Sequence, residues 1–136
     1  MNRLPGKISA IEVHGSIALV EAEVGAQRFT ALLVGAGDEV GTWPAGMPVT
    51  LLFKETEVSL AKNLSGSISM RNRITAVVTS IERGTLLTRV TLAFDGHAIG
   101  SIITTRSSDA LALAVGDTVE ALVKTNEMSL MPESLE

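Results

Sequence analysis

Apolar and polar residues alternate along Lys7-Ile8-Ser9-Ala10-Ile11-Glu12-Val13, the period of a strand with one face buried. His14-Gly15-Ser16 reads as a turn, and residues 17–24 as a second strand carrying Leu19, Val20, Ala22 and Val24. Gly25-Ala26-Gln27 is a tight connection of hairpin type. Residues 28–34 are nearly all apolar, which predicts a third, central strand. The pattern then breaks in a glycine-rich stretch, 35–46, that allows one helical turn at most, because glycine costs about 1 kcal/mol in a helix interior. Residues 47–54 and 57–61 read as a fourth and a fifth strand. Lys62-Asn63-Leu64-Ser65-Gly66-Ser67 is polar and small, a connector, and 68–70 is expected to be extended.

The same signals then return in the same order. Alternation resumes over 73–83, Gly84-Thr85 turns, and 86–94 and 98–104 form strands around Asp95-Gly96, a strong hairpin signal. Ser107 is placed as the N-cap of a short helix running to Leu113, closed by Gly116-Asp117. Residues 118–124 and 127–131 are the last two strands. Residues 2–61 lie over 72–131 without a gap. Asn2 falls on Asn72, Arg3 on Arg73, Ile11 on Ile81, Glu12 on Glu82, Val20 on Val90 and Gly46 on Gly116. Val49, Leu52, Lys54, Glu57, Ser59 and Leu60 likewise fall on Val119, Leu122, Lys124, Glu127, Ser129 and Leu130. A fixed register over a whole half-chain means two copies of one module. The division is 1–61 for a first, degenerate copy, 62–71 for a linker and 72–136 for the second copy. Each copy reads strand, strand, strand, short helix, strand, strand, the chain order of a five-stranded OB-like barrel. The fold class is therefore all-β with short helices, in two tandem barrels.

Composition adds limits. Modules of about sixty residues bury too small a share of their surface to be robust alone. With 46% hydrophobic and 19% charged residues, the surplus of apolar surface points to a subunit interface. Net charge is −4 and aromatics are 3%, so the basic, aromatic-lined groove of a nucleic-acid-binding OB fold is not expected. Cysteine is absent and there are two histidines, which excludes thiolate sites and makes a dedicated transition-metal site improbable. The N-terminus lacks a signal-peptide core and no apolar run reaches spanning length, so a cytoplasmic protein without membrane insertion is expected.

No nucleophile motif, phosphate loop or isolated carboxylate pair is present, and an enzyme is not expected. What stands out is a supply of neutral and cationic donors at strand ends. Ser69 and Arg71 precede the second copy; Thr104, Thr105, Ser107 and Ser108 mark the entry to its helix; Lys124 and Thr125 end its fourth strand. Hydroxyls, an arginine fork and an ammonium suit a tetrahedral oxyanion. The plainer alternative is that Ser107 only caps, Lys124 only faces solvent and Arg71 pairs with an acid.

The stretch Ser69-Met70-Arg71-Asn72-Arg73-Ile74-Thr75-Ala76-Val77-Val78 resembles the opening of the molybdate-binding Mop module, within the wider TOBE group. Ile103-Thr104-Thr105-Arg106-Ser107 and Gly116-Asp117-Thr118-Val119-Glu120-Ala121-Leu122-Val123-Lys124 resemble its two later marks. The first copy matches in outline, through Asn2, Leu4, Gly6, Ile8, Gly46 and Lys54. The resemblance implies a tandem Mop protein that binds molybdate or tungstate between subunits of a homo-oligomer, a trimer in tandem members. It implies an oxyanion site drawing on Ser69, Arg71 and Asn72 from one side and Thr104, Thr105, Ser107 and Lys124 from the other, with Lys54 as the first-copy lysine. It implies a role in storage, homeostasis or sensing. The alternative is an oligomerising interaction module, associated with a transporter or regulator, whose anion site has decayed. Val34 and Gly37 replace Thr104 and Ser107 in the first copy, so unequal sites are expected.

Overall fold

The structure is a computed structural model that describes residues 1–35 and 37–133. Ten strands carry it: β1 (Asn2–His14), β2 (Ile17–Val24), β3 (Gln27–Val34), β4 (Pro48–Phe53) and β5 (Ser59–Ala61), then β6 (Asn72–Arg83), β7 (Leu87–Phe94), β8 (His97–Thr104), β9 (Thr118–Val123) and β10 (Ser129–Pro132). Two short helices, α1 (Gly37–Val40) and α2 (Thr105–Ala110), follow the third strand of each copy. Both copies also place a 3-10 turn, Glu55–Glu57 and Thr125–Glu127, between the expected fourth and fifth strands, so that the fifth begins two residues later than the pattern predicts. The last three positions assigned to the second module, 134–136, lie outside the described residues.

The strands form two five-stranded sheets in the orders β10-β4-β1-β2-β3 and β5-β9-β6-β7-β8. Each sheet thus takes four strands from one copy and its last strand from the other. Leu130 pairs with Leu51 of the first copy, and Leu60 with Ala121 of the second. β1 serves both neighbours by length: residues 2–7 pair with β4 and residues 7–14 with β2. Between these segments the register shifts at Ile8/Ala10, and β6 shifts at the matching place, Val78/Ser80. An extra residue there bends the strand and increases its twist, which curls a flat ribbon toward a barrel. Ile8 exchanges backbone hydrogen bonds with Met47 and Gly46 at the bend, and Val78 does so with Asp117 and Gly116.

The core follows the alternation. Leu4, Ile8, Val20, Val24, Phe29, Leu51 and Phe53 are buried in the first barrel; Ile74, Val78, Val90, Leu92, Ile99, Val119 and Val123 are buried in the second. Val58 and Met128, at the entry to the exchanged strands, are buried too. Trp43 is half-buried against the same core. Removing such surface from water contributes roughly 25 cal/mol per Å² of apolar area, so seating both exchanged strands in one core stabilises the two barrels together.

The junction is closed by two asparagines in matching positions. The Asn72 side chain is 0% exposed: its Nδ2 donates to Thr30 O at 2.9 Å and its Oδ1 accepts from Thr30 N at 2.8 Å. Asn2 makes the same pair of bonds with Gly100, at 2.9 and 2.8 Å. Each third strand is an edge strand, not the central one its apolar run predicts, and each asparagine bonds the outward N–H and C=O of one residue on it from the opposite copy. A further link runs from Ser101 Oγ, which donates to Val58 O at 2.8 Å. The linker is anchored by Lys62, whose Nζ donates to Leu111 O, Ala112 O and Asp117 Oδ2 at 3.0–3.2 Å. The hydrogen bond from Lys62 comes first among the causes that hold the Asp117 carboxyl below the usual range.

Truncating Asn72 leaves the Thr30 N–H and C=O without partners in a buried junction. Asn72→Ala is therefore expected to cost about 2–4 kcal/mol, two buried hydrogen bonds at roughly 1–2 kcal/mol each. Urea unfolding measures it, and a loss under about 0.5 kcal/mol, the size of an ordinary surface substitution, would refute the clamp.

Candidate functional site

The sequence-expected donors fall into three groups. Ser69 and Arg71, at the end of the linker, are exposed. Among the described residues, no hydrogen bond or ion pair engages the Arg71 guanidinium. It lines a cleft of about 560 Å³ on the first barrel, together with Ala10, Ile11, Glu12, Leu19, Glu21, Thr30 and Thr125. Lys124, exposed and next in sequence to Thr125, stands at the start of the 3-10 turn that contributes that threonine. The sequence therefore brings an arginine, two hydroxyls and a neighbouring lysine to the module junction. It also brings two carboxylates, of which Glu21 reaches Arg28 at 3.9 Å.

Thr104 and Ser107 form the second group, at the far end of β8. Both are exposed. Thr104, not Ser107, is the N-cap of α2: its Oγ1 accepts from Ser107 N at 3.1 Å and bonds Ser107 Oγ at 2.8 Å. A threonine in extended geometry at the last strand position can turn its hydroxyl onto the first helical turn, so the helix begins three residues before the sequence pattern places it. No hydrogen bond or described cleft joins this group to Arg71. One chain thus presents two separated halves of the expected donor set.

The third group is engaged inside the fold. Asn72 uses both polar atoms on the Thr30 peptide, as described above. Thr105 is buried, with its Oγ1 bonded to Thr88 Oγ1 at 2.9 Å and to Gly84 O at 2.8 Å. Thr105 donates its hydroxyl proton to Gly84 O, whereas Asn72 Nδ2 spends one of its two N–H groups on Thr30 O.

Lys54 lies apart from both donor groups, in a cleft of about 270 Å³ at the approximate twofold between the copies, with Met1, Glu57, Asn126, Glu127 and Ser129. Its backbone N–H donates to Glu57 Oε1 at 3.0 Å. Glu57 and Glu127 face each other here. Burial above all, and then the hydrogen bond and like charge of Glu57, hold the Glu127 carboxyl above the usual range, with the Lys124 charge opposing.

In the first copy the counterpart of Thr104 is Val34, 70% exposed, and α1 carries Asp38 and Glu39 in its first turn. The positions of Thr104 and Ser107 thus carry no hydroxyl in the first copy, and its helix opens with two carboxylates. Val13, Ile17 and Val34 make it an exposed apolar edge. Among the described residues no group of three His, Cys, Asp or Glu side chains is arranged for a metal ion, and no helix is long and apolar enough to cross a membrane.

Paired OB-like barrels with exchanged last strands, joined at a donor-lined junction, define a tandem binding module. Comparison with known proteins gives the relatives. The TOBE domain matches residues 68–130, the second copy with the end of the linker. The chain is 44% identical over 79 residues to the molybdenum import ATP-binding protein ModC of Brucella abortus (strain 2308), covering 57% of this chain and 22% of that one. It is 32% identical over 126 residues to the molybdenum transport protein ModE of Herbaspirillum seropedicae, covering 90% of this chain and 47% of that one. The chain thus spans between about a fifth and about half the length of these relatives. Its fold matches a crystal structure of the cytoplasmic molybdate-binding protein ModG with molybdate bound, with a TM-score of 0.91, 28% identity and coverage of 97% and 96% of the two chains. Residues 68–130 thus carry a TOBE domain, and the chain as a whole shares the fold of that ModG structure.

The facing carboxylates give a signed expectation. A carboxyl whose pKa is raised by folding stabilises the protein fully below its unfolded pKa, and the contribution is lost as pH rises through the folded value. The stability of wild type relative to Glu127→Gln should therefore decline as pH climbs from about 4.3, the unperturbed glutamate value, through the raised one. Urea midpoints measured in parallel on the two proteins test this, and a relative stability that increases over the interval would contradict it.

Proposed function

We propose that this chain binds molybdate or tungstate at interfaces between its own copies, in the cytoplasm, for storage, homeostasis or sensing of the metal. The observation that carries the reading is the Arg71 guanidinium, exposed and unpaired among the described residues beside a junction cleft, in a chain matched almost end to end by a molybdate-bound relative. Ser69 and Arg71, with Lys124 beside them at the same junction, supply one half of the cage, and Thr104 and Ser107 of a neighbouring chain supply the other. The separation of these groups within one chain supports a shared site. So does the charge around Arg71: with Glu12 and Glu21 in the same cleft, a dianion needs further donors from outside. The assembly is a homotrimer and the role is binding rather than catalysis.

Chemistry favours a large tetrahedral dianion. Charge-assisted hydrogen bonds from arginine and lysine offset its desolvation inside an acidic protein. Tungstate is nearly the size of molybdate and binds alike, whereas the smaller sulfate leaves a rigid donor cage poorly filled. A ligand held by two chains binds only the assembled form, so it strengthens assembly by mass action. The loss of hydroxyls at Val34 and the acidic start of α1 favour fewer filled sites than a symmetric pair would give. They also support the second reading, an oligomerising interaction module with a decayed anion site.

Calorimetric titration of oxyanion-free protein at known oligomeric mass separates the two. Molybdate and tungstate are expected to bind with sulfate silent, and Arg71→Ala should weaken binding by about ten- to a hundredfold, or 1.4–2.8 kcal/mol, the range of a charge-assisted hydrogen bond. Absence of heat and of thermal stabilisation by either anion would leave the interaction module.

A further inference from the structure

The Arg71 cleft has a counterpart in the second copy, and that counterpart is filled. In the repeat register Leu19, Thr30 and Thr125 correspond to Arg89, Gly100 and Glu55, and Arg71 itself to Met1. These replacements belong together. Glu55 Oε1 accepts from Arg89 Nε at 2.9 Å and from Arg89 Nη2 at 2.6 Å. Arg89 Nη1 also reaches Thr91 Oγ1 at 3.4 Å. The carboxylate lies against the bare face of Gly100, where any Cβ would collide with it. The first copy fills that space with the Thr30 side chain and places neutral Leu19 beside it.

We infer that the second copy carries a latent oxyanion pocket, built on Arg89, Thr91 and the open face of Gly100, which the Glu55 carboxylate occupies as an internal anion. The ligand class is a small tetrahedral oxyanion, and to that extent the inference rests on the function proposed above. Both guanidinium N–H groups converge on one carboxylate oxygen, so Glu55 uses the fork less fully than an anion presenting two oxygens would. Glu55 nevertheless holds the pocket, because it is tethered. It rides on the 3-10 turn that leads into exchanged strand β5, and a tethered group competes at an effective concentration in the millimolar range. The exchange of strands therefore delivers the occupant from the opposite copy. The pair is partly exposed, with side-chain exposures of 43% for Arg89 and 21% for Glu55, so its removal leaves the core intact. Glu82, the other carboxylate whose charge acts on Arg89, stays in place.

The test removes the occupant and counts anions. Wild type, Glu55→Thr (the residue of the first copy) and Glu55→Thr/Arg89→Leu are dialysed to equilibrium against molybdate as assembled protein, with Glu55→Ser as a second route should threonine fold poorly. The single variants are expected to bind one anion per chain more than wild type, and the double variant to return to the wild-type number. An unchanged count in both single variants, or an extra anion that survives Arg89→Leu, overturns the latent pocket. A wild-type count of zero would instead remove the function proposed above, while the gain on removing Glu55 still decides this pocket separately.

Discussion

Two asparagine side chains, each bonding the N–H and the C=O of one residue on the opposite copy, set the relation between the halves of this molecule. A β-edge presents N–H and C=O groups that must find partners once water is excluded. Asn72 satisfies Thr30 and Asn2 satisfies Gly100 by the same geometry, so the two barrels meet in one register. The other junction features depend on that register. β5 and β10 reach the opposite sheets, Val58 and Met128 enter the shared core, and Arg71 emerges next to Asn72 over the first barrel.

The repeat and the alternating pattern made most of the strands legible, since burial on one face of a sheet imposes a period of two wherever it occurs. The partners of the last strands were not legible. Ser59-Leu60 and Ser129-Leu130 are identical pairs, and a three- or four-residue strand carries no mark of the sheet it joins. The 3-10 turns before them were hidden because an apolar residue at Val58 or Met128 fits either element. Asn72 was read as a ligand donor from its place beside Ser69 and Arg71. One signal pointed elsewhere: its equivalent Asn2 stands in register in the copy where no matching arginine precedes it, as expected of a residue needed by the junction itself. Thr105 shows the opposite limit, since neither composition nor spacing says which of two adjacent threonines turns inward.

The differences between the copies are as informative as the identities. Identical residues crowd the contact between the copies: Asn2 and Asn72, Arg3 and Arg73, Lys54 and Lys124, Glu57 and Glu127, Ser59 and Ser129. Around an approximate twofold axis a residue sits near its own equivalent or faces the same partner twice, so a change in one copy is felt in both. Elsewhere the copies have diverged in sets. Val34, Gly37 and Asp38 stand against Thr104, Ser107 and Ser108, and Glu55, Arg89 and Gly100 stand against Thr125, Leu19 and Thr30. Reading a repeat for such compensating groups, rather than position by position, exposes ion pairs that no single alignment column suggests.

Strand exchange also governs the order of events when the chain is made. β4 borders β10 from Leu52 opposite Ser129 onward, and β5 borders β9 from Ser59 opposite Leu122 to Ala61 opposite Glu120. When the first half leaves the ribosome it has four strands of its sheet, a fifth whose partner has not been synthesised, and an Asn2 carboxamide whose target peptide does not yet exist. Pairings across such sequence distances close late and slow the search for the native topology. The two copies therefore cannot fold one after the other as independent domains. Completion of either barrel waits for β9 and β10 to be made, and until then the unpaired edges are surfaces that chaperones, or a second nascent copy, can reach.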